Sequence, residues 1–235
     1  MMRLDRFLSL AGNITRSEAK QFIKKGLVAV NEIKASGPDQ KINEDRDSVT
    51  LRGTPLAYNA FVGYLLYKPA GVITATEDKK QKTVLDLLDV PIKGLFPVGR
   101  LDKDTEGLLL ITNDGALAHR LLSPGKHVDK TYQVRLKSPL SNGAAEMLKK
   151  GVDIGDDTPT LPAELEICSD NEILLTIKEG RYHQIKRMLA AVDNEVLFLK
   201  RLRMGPLSLP KDLAPGEYRP LTEDEIKSLQ KEGLL

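Results

Sequence analysis

Between Gly99 and Gly115 the chain reads Gly-Arg-Leu-Asp-Lys-Asp-Thr-Glu-Gly-Leu-Leu-Leu-Ile-Thr-Asn-Asp-Gly, a loop dense in charge that becomes an apolar run and then a second turn. The run Leu108 to Ile111 is short and bounded by turn formers, so it reads as a buried strand. A polar loop pinned between Pro97 and that strand holds Asp102, Asp104 and Glu106 near a sheet edge, where clefts form and an active carboxylate is well placed. The same acids, with Gly107 sixth, imitate the opening of an EF-hand calcium loop. The twelfth residue is Asn113 rather than Glu, and positions eight to ten are leucine and isoleucine, so the calcium reading fails. Acids that merely solvate a turn remain an alternative at this point.

The 235 residues can hold one large domain, or a small one beside a larger one, and 41% hydrophobic with 29% charged residues describes a soluble globular chain. Apolar runs such as Leu108 to Ile111 are far too short to cross a bilayer, and no signal-peptide core follows the charges at Arg3, Asp5 and Arg6. The single Cys168 excludes an internal disulfide and a cysteine-rich metal site, which makes the cytoplasm the expected location. Net charge is only +2, but its distribution is uneven. Residues 1 to 26 carry six basic residues against two acidic ones, a net +4, so the remainder sums to −2.

Leu4, Phe7, Leu8 and Ala11 recur at helical spacing, and Thr15 with Glu18 is a capping-box signature for a second helix, which Gly26 is placed to stop. Leu27 to Asn31 and Ser48 to Leu51 read as strands that complete a small unit. Arg16, Lys20 and Lys24 at spacing i, i+4, i+8 form one basic edge, either a solvated face or a surface for a polyanion. Gly53 to Asn59 lacks periodicity, so the domain boundary is placed there: residues 1–58 and 59–235.

In the second part, Val62 to Tyr67 begins a sheet, Lys68-Pro-Ala-Gly71 breaks it with a rigid turn that aims Lys68, and Val72 to Thr74 resumes it. Thr83 to Leu88 has the pattern of a short helix, and Ala116 to Leu122 is a helix whose His119 reads as an ordinary surface histidine. Lys130 to Leu136 alternates as a half-buried strand with Tyr132 and Val134 on one side. Asn142 to Gly151 is a helix ended by glycine, and residues 153 to 162 are expected to form an exposed loop. Ala163 to Cys168 and Ile173 to Ile177 are strands, after which Ile185, Met188, Leu189 and Val192 mark a helix. Glu195 to Arg203 and Gly216 to Arg219 are further strands, and Thr222 to Glu225 caps a final helix.

Several of these stretches resemble one family. Gly99-Arg-Leu-Asp-x-x-Thr-x-Gly-Leu-Leu-Leu-Ile-Thr112 is similar to the catalytic motif of the RsuA-type pseudouridine synthases, in which the Asp after Arg-Leu is catalytic; here it is Asp102. Lys68-Pro-x-Gly71, Lys130-Thr-Tyr132 and Glu179-Gly-Arg-x-His-Gln-Ile-Lys-Arg-Met188 resemble its other motifs, and Arg3 to Phe7, Thr15 to Ala19 and Ile23 to Asn31 resemble an S4 RNA-binding domain. The resemblance implies an α+β chain: an S4-like domain, then a catalytic domain with a mixed, mainly antiparallel sheet flanked by helices. It implies that Lys186 pairs with Asp102, that Tyr132 and Ile185 pack on the target base, and that Lys68 supports the site. It further implies RNA contacts from Arg100 and Arg181, and from Arg3, Arg6, Arg16, Lys20 and Lys24 in the S4-like domain. The implied reaction isomerises a uridine of ribosomal RNA without metal or other cofactor, with Asp102 as nucleophile at the sugar or as base. The target leaves its stack to reach Asp102, and a lysine beside Asp102 favours the charged carboxylate. Thr105-Glu-Gly107 and the tail Pro215 to Thr222 place the chain nearest the branch acting on 16S rRNA, free or in an assembling small subunit, as a monomer. The alternatives are 23S rRNA or tRNA as target, an inactive assembly factor, or an RNA hydrolase.

Overall fold

The computed structural model describes residues 1–12, 14–44, 46–56, 61–90 and 94–235. The chain forms two compact units, Met1–Val62 with Val90–Gly94, and Gly63–Asp89 with Leu95–Leu235. The boundary expected between residues 58 and 59 lies outside the described residues.

In the smaller unit the elements are β1 (Met2–Arg3), α1 (Leu4–Ala11), α2 (Arg16–Lys24), β2 (Val28–Val30), β3 (Ile33–Lys34), β4 (Lys41–Ile42), β5 (Val49–Leu51) and β6 (Thr54–Pro55). The capping box on α2 is complete: the Glu18 amide donates to the Thr15 hydroxyl, and the Thr15 amide donates to the Glu18 carboxylate at 2.6 Å. Gly26 follows the helix at φ +71°, the left-handed conformation that ends helices and that glycine adopts without a Cβ clash. One face of each helix is buried, with Leu4, Phe7, Leu8, Ala19 and Ile23 packed against Val28, Val30 and Val49. That leaves Arg6, Arg16, Lys20 and Lys24 exposed on the outside.

The larger unit holds β7 (Gly63–Lys68), β8 (Phe96–Pro97), β9 (Glu106–Thr112), α3 (Gly115–Leu122), β10 (Lys130–Leu136), α4 (Asn142–Lys150), β11 (Glu164–Ser169), β12 (Glu172–Ile177), α5 (Gln184–Ala190), β13 (Val196–Met204), β14 (Leu207–Ser208), β15 (Tyr218–Pro220) and α6 (Glu223–Lys231). The sheet runs β11-β12-β10-β13-β9-β7-β15, with β14 on β13 and β8 on β9. Every pairing in it is antiparallel except β9 with β13, so the sheet is mixed and mainly antiparallel. Leu108 to Ile111 are wholly buried, as the apolar run required. Tyr132, Val134 and Leu136 on β10 enter a core closed by Leu148 of α4 and by Ile185, Met188 and Leu189 of α5.

Two expectations change and a third is qualified. Val72 to Thr74 does not resume the strand: only a single bridge links Ile73 to Thr83, because the Pro69–Gly71 turn carries the chain out of the sheet and Thr74 instead ties down Leu101. The stretch Thr83 to Leu88 is one 3-10 turn at Leu85–Leu87, with Thr83 and Asp86 bonded to each other, too short for an α-helix. Residues 153 to 162 form an exposed loop as expected, except that Ile154 and Thr160 are buried and the Val152 amide donates to the Thr160 hydroxyl.

Candidate active site

The loop before β9 is fixed from below. Lys68, at the end of β7, is wholly buried, and its ammonium donates to the carbonyls of Pro69 (3.0 Å), Lys103 (3.3 Å) and Thr105 (2.8 Å). The sequence pattern aimed Lys68 at the site; the structure places it underneath, as a peg for the loop backbone. Burial pulls its ammonium down to about 8, against the fields of Asp104, Asp102 and Glu106. The Gly71 amide donates to the Lys103 carbonyl at 2.7 Å, the Thr74 hydroxyl to the Leu101 carbonyl at 2.7 Å, and the Thr105 amide to the Asp102 carbonyl at 3.1 Å. Asp102 therefore stands on a backbone held on both sides.

Its side chain is a quarter exposed and meets two groups from the segment after β12. Lys186 Nζ lies 3.2 Å from Asp102 Oδ2, and His183 Nε2 lies 3.5 Å from Asp102 Oδ1. Lys186 also donates to both oxygens of Asp104, at 2.7 and 2.9 Å, so it bridges two carboxylates rather than pairing with one. Burial lowers the Lys186 pKa, but the hydrogen bonds to Asp104 and the charge of Asp102 outweigh it and hold the ammonium above its ordinary value. Those hydrogen bonds in turn hold Asp104 below the usual carboxylate range.

Asp102 lines a recess with Tyr132, Ile185 and Arg100. Tyr132 and Ile185 are buried, and Arg100 is exposed. The recess shares Arg100, Asp102 and His183 with a cleft of about 940 Å³ to which Lys103, Lys178 and Tyr182 also contribute. The residues come together because β9 lies parallel to β13, and β13 pairs with β10: the aspartate loop enters on one side of that junction, Tyr132 and the Lys186 helix on the other. Gly107 makes the approach possible. A Cβ there would stand 2.2 Å from the Arg201 carbonyl oxygen, and its φ of +108° is one that other residues rarely adopt.

Arg181 is placed differently from the other cations. Its guanidinium donates to Glu179 (3.0 Å) and to the carbonyls of Thr158 (2.6 Å) and Pro159 (2.8 Å), and it pairs with Asp156. Arg187 likewise donates to the Ile154 and Tyr182 carbonyls and to Asp156. Both clamp the 154–159 segment to the loop before α5. In the smaller unit, Arg3, Arg6 and Arg16 line one recess together with Lys41, while Arg3 also holds the buried Asp5 carboxylate at 3.0 and 3.1 Å. Lys20 and Lys24 continue the exposed edge of α2.

Sequence reasoning did not single out His183, Asp104 as a Lys186 partner, or Lys41. His183 sits inside a quoted motif, at a left-handed φ of 47°, and no local pattern signals that it lies beside Asp102. Lys41 belongs to a two-residue strand with no periodic signal.

A carboxylate held beside a lysine, in a recess that a tyrosine and an isoleucine line, can act on a planar base. The basic edge of the smaller unit is, taken by itself, a surface suited to a polyanion. Comparison with known proteins makes the class specific. Residues 63–191 match the family described as RNA pseudouridylate synthase, and residues 2–46 match the S4 domain. The chain is 49% identical to the uncharacterized RNA pseudouridine synthase YtzG of Bacillus subtilis, over 98% of this chain and 99% of that one. It is 44% identical to ribosomal small subunit pseudouridine synthase A of Escherichia coli, over 97% of this chain and 100% of that one. A crystal structure of a pseudouridylate synthase superposes with a TM-score of 0.69 at 37% identity, covering 97% of this chain and all of the other. The chain belongs to the RNA pseudouridylate synthase family, and its first residues form an S4 domain. The family resemblance drawn from the motifs is borne out. Among the described residues no helix is long and apolar enough to cross a membrane.

Proposed function

We propose that this protein converts one uridine of small-subunit (16S) ribosomal RNA, free or in an assembling subunit, to pseudouridine, with Asp102 at the reacting sugar. The observation that carries the reading is the Asp102–Lys186 contact of 3.2 Å in a recess walled by Tyr132 and Ile185. The reaction breaks the bond between C1′ and N1, turns the freed uracil, joins C5 to C1′, releases the proton of C5 and places a proton on N1, so substrate and product have the same atoms. A carboxylate suits this course, adding to C1′ or removing a proton from the sugar, because an electron-poor sugar centre forms as N1 departs. Lys186 holds its ammonium 3.2 Å from Asp102 Oδ2 and so keeps a cation beside the reacting carboxylate. Tyr132 and Ile185 offer flat and apolar contact to hold the uracil while it is detached. Arg100, exposed at the rim, suits the backbone of the distorted strand. The Arg3, Arg6 and Arg16 recess and the Lys20–Lys24 edge suit phosphates further along.

The choice of small-subunit RNA is supported by the relatives named for that subunit, which align with this chain over their whole length at 44% identity. The test is a carbodiimide-based pseudouridine map of total RNA from cells with and without the gene, complemented with wild type or Asp102→Asn. One site missing from 16S rRNA, restored by wild type and not by Asp102→Asn, is the expected result. A missing site in 23S rRNA or tRNA moves the target, free uracil in an assay with purified protein makes the enzyme a hydrolase, and full activity of Asp102→Asn overturns the mechanism.

A further inference from the structure

We infer that Tyr182, backed by His183, is a stacking platform for an RNA base next to the target uridine. The inference rests on the reading of this cleft as the RNA site. Tyr182 is 70% exposed, unusual for so large a ring, and it lines the same cleft as Asp102 and Arg100. Its ring lies on the His183 imidazole with centroids 3.8 Å apart and planes 20° apart, so one face is covered and the other faces solvent. The backbone that carries the pair is tied down, and the His183 ring has a partner on its far side. Arg187 Nη1 donates to the Tyr182 carbonyl at 3.1 Å, the Arg181 amide donates to Gln184 Oε1 at 2.9 Å, and His183 Nε2 sits 3.5 Å from Asp102 Oδ1.

A stacked aromatic pair with one open face is what an unstacked base needs. Extracting the target uridine leaves its neighbours without a stacking partner on one side, and every base has a π-face that a tyrosine can cover without reading its identity. Lys103 and Lys178 line the same cleft and supply positive charge for the strand that carries such a base. Because His183 touches both Tyr182 and Asp102, the platform and the reacting carboxylate share one support, which sets the distance between the flanking base and the recess.

The test uses the full chain and an RNA fragment spanning the mapped uridine, with 2-aminopurine placed in turn on its 5′ and 3′ sides. Wild type and Tyr182→Phe should quench the probe at one of the two positions. Tyr182→Ala and Tyr182→Leu should abolish that quench and weaken binding by roughly 5- to 150-fold, the range for losing one base–aromatic stack. The loss should fall on KM rather than kcat. Tyr182→Leu keeps apolar bulk without a ring, so a general packing role would leave it near wild type. Quench and affinity unchanged in both the alanine and leucine variants would overturn the inference. A wild-type protein that quenches the probe through Tyr182 but forms no pseudouridine would sustain the platform and overturn the functional reading. Pseudouridine formation with no Tyr182-dependent quench would do the reverse.

Discussion

Gly107→Ala should open the sheet at the point where the site is assembled. Gly107 pairs with Arg201 in the parallel β9–β13 ladder, and a Cβ there meets the Arg201 carbonyl oxygen at 2.2 Å and its amide nitrogen at 2.7 Å. Relief requires the two strands to separate by about 1 Å, the scale of overpacking that costs roughly 1–3 kcal/mol. A non-glycine residue at φ +108° adds about 1–3 kcal/mol of backbone strain. The total, about 2–6 kcal/mol, corresponds to a fall in Tm of roughly 4–24 °C for a unit of this size. Near-ultraviolet circular dichroism reports it well, because the chain has no Trp and five of its six tyrosines lie in the larger unit. Below the new midpoint the rate of pseudouridine formation should also drop, since Asp102 and Tyr132 sit on opposite sides of the widened junction. A variant melting within about 1 °C of wild type with an unchanged rate would show that this close approach holds nothing together.

Lys186→Met should lower kcat by about 100-fold, the scale for removing one charge-stabilising group, whereas Asp104→Asn should cost less than about 5-fold, because Asp104 is 72% exposed and Lys186 keeps Asp102 as partner. Single-turnover rates on the same RNA separate the two, and equal losses would mean that Asp104 is part of the chemistry. Replacing Arg16, Lys20 and Lys24 together by Gln should reduce the slope of log K against log salt by about 2–3, whereas Arg181→Met should leave that slope unchanged and loosen the 154–159 segment, measured by hydrogen exchange. A shallower slope in Arg181→Met would put its guanidinium on phosphate. Lys68 and Lys130, both pulled to about 8 by burial, bind protons less readily in the folded than in the unfolded chain. Their contribution to stability therefore rises with pH between about 8 and about 10.5, by an amount on the order of 1 kcal/mol or more. Tyr64 and Tyr67, raised chiefly by burial, oppose this only above about pH 10. The urea midpoint should be higher at about pH 9.5 than at about pH 7.5, and a lower one would contradict the assignment.

Read alone, the sequence determined those features whose causes are local. The capping boxes at Thr15 and Thr222, the buried strand at Leu108 to Ile111, and the alternation that buries Tyr132 and Val134 each follow from a few neighbouring side chains, and all are present. The motif around Asp102 was legible in another way, through its resemblance to a family motif, since its charges alone would also suit a solvated turn. Only the tertiary structure decided what depends on distant backbone. Lys68 became a peg under the loop because carbonyls 35 and 37 residues away converge on it. Arg181 became a clamp because the 156–159 segment folds over it. Lys186 met two carboxylates, and His183 turned toward Asp102, because a single parallel pairing at Gly107 brings the two halves of the sheet together. Sequence spacing records which residues lie along one strand or one helix; long-range strand register, which no local pattern encodes, determines which of them meet.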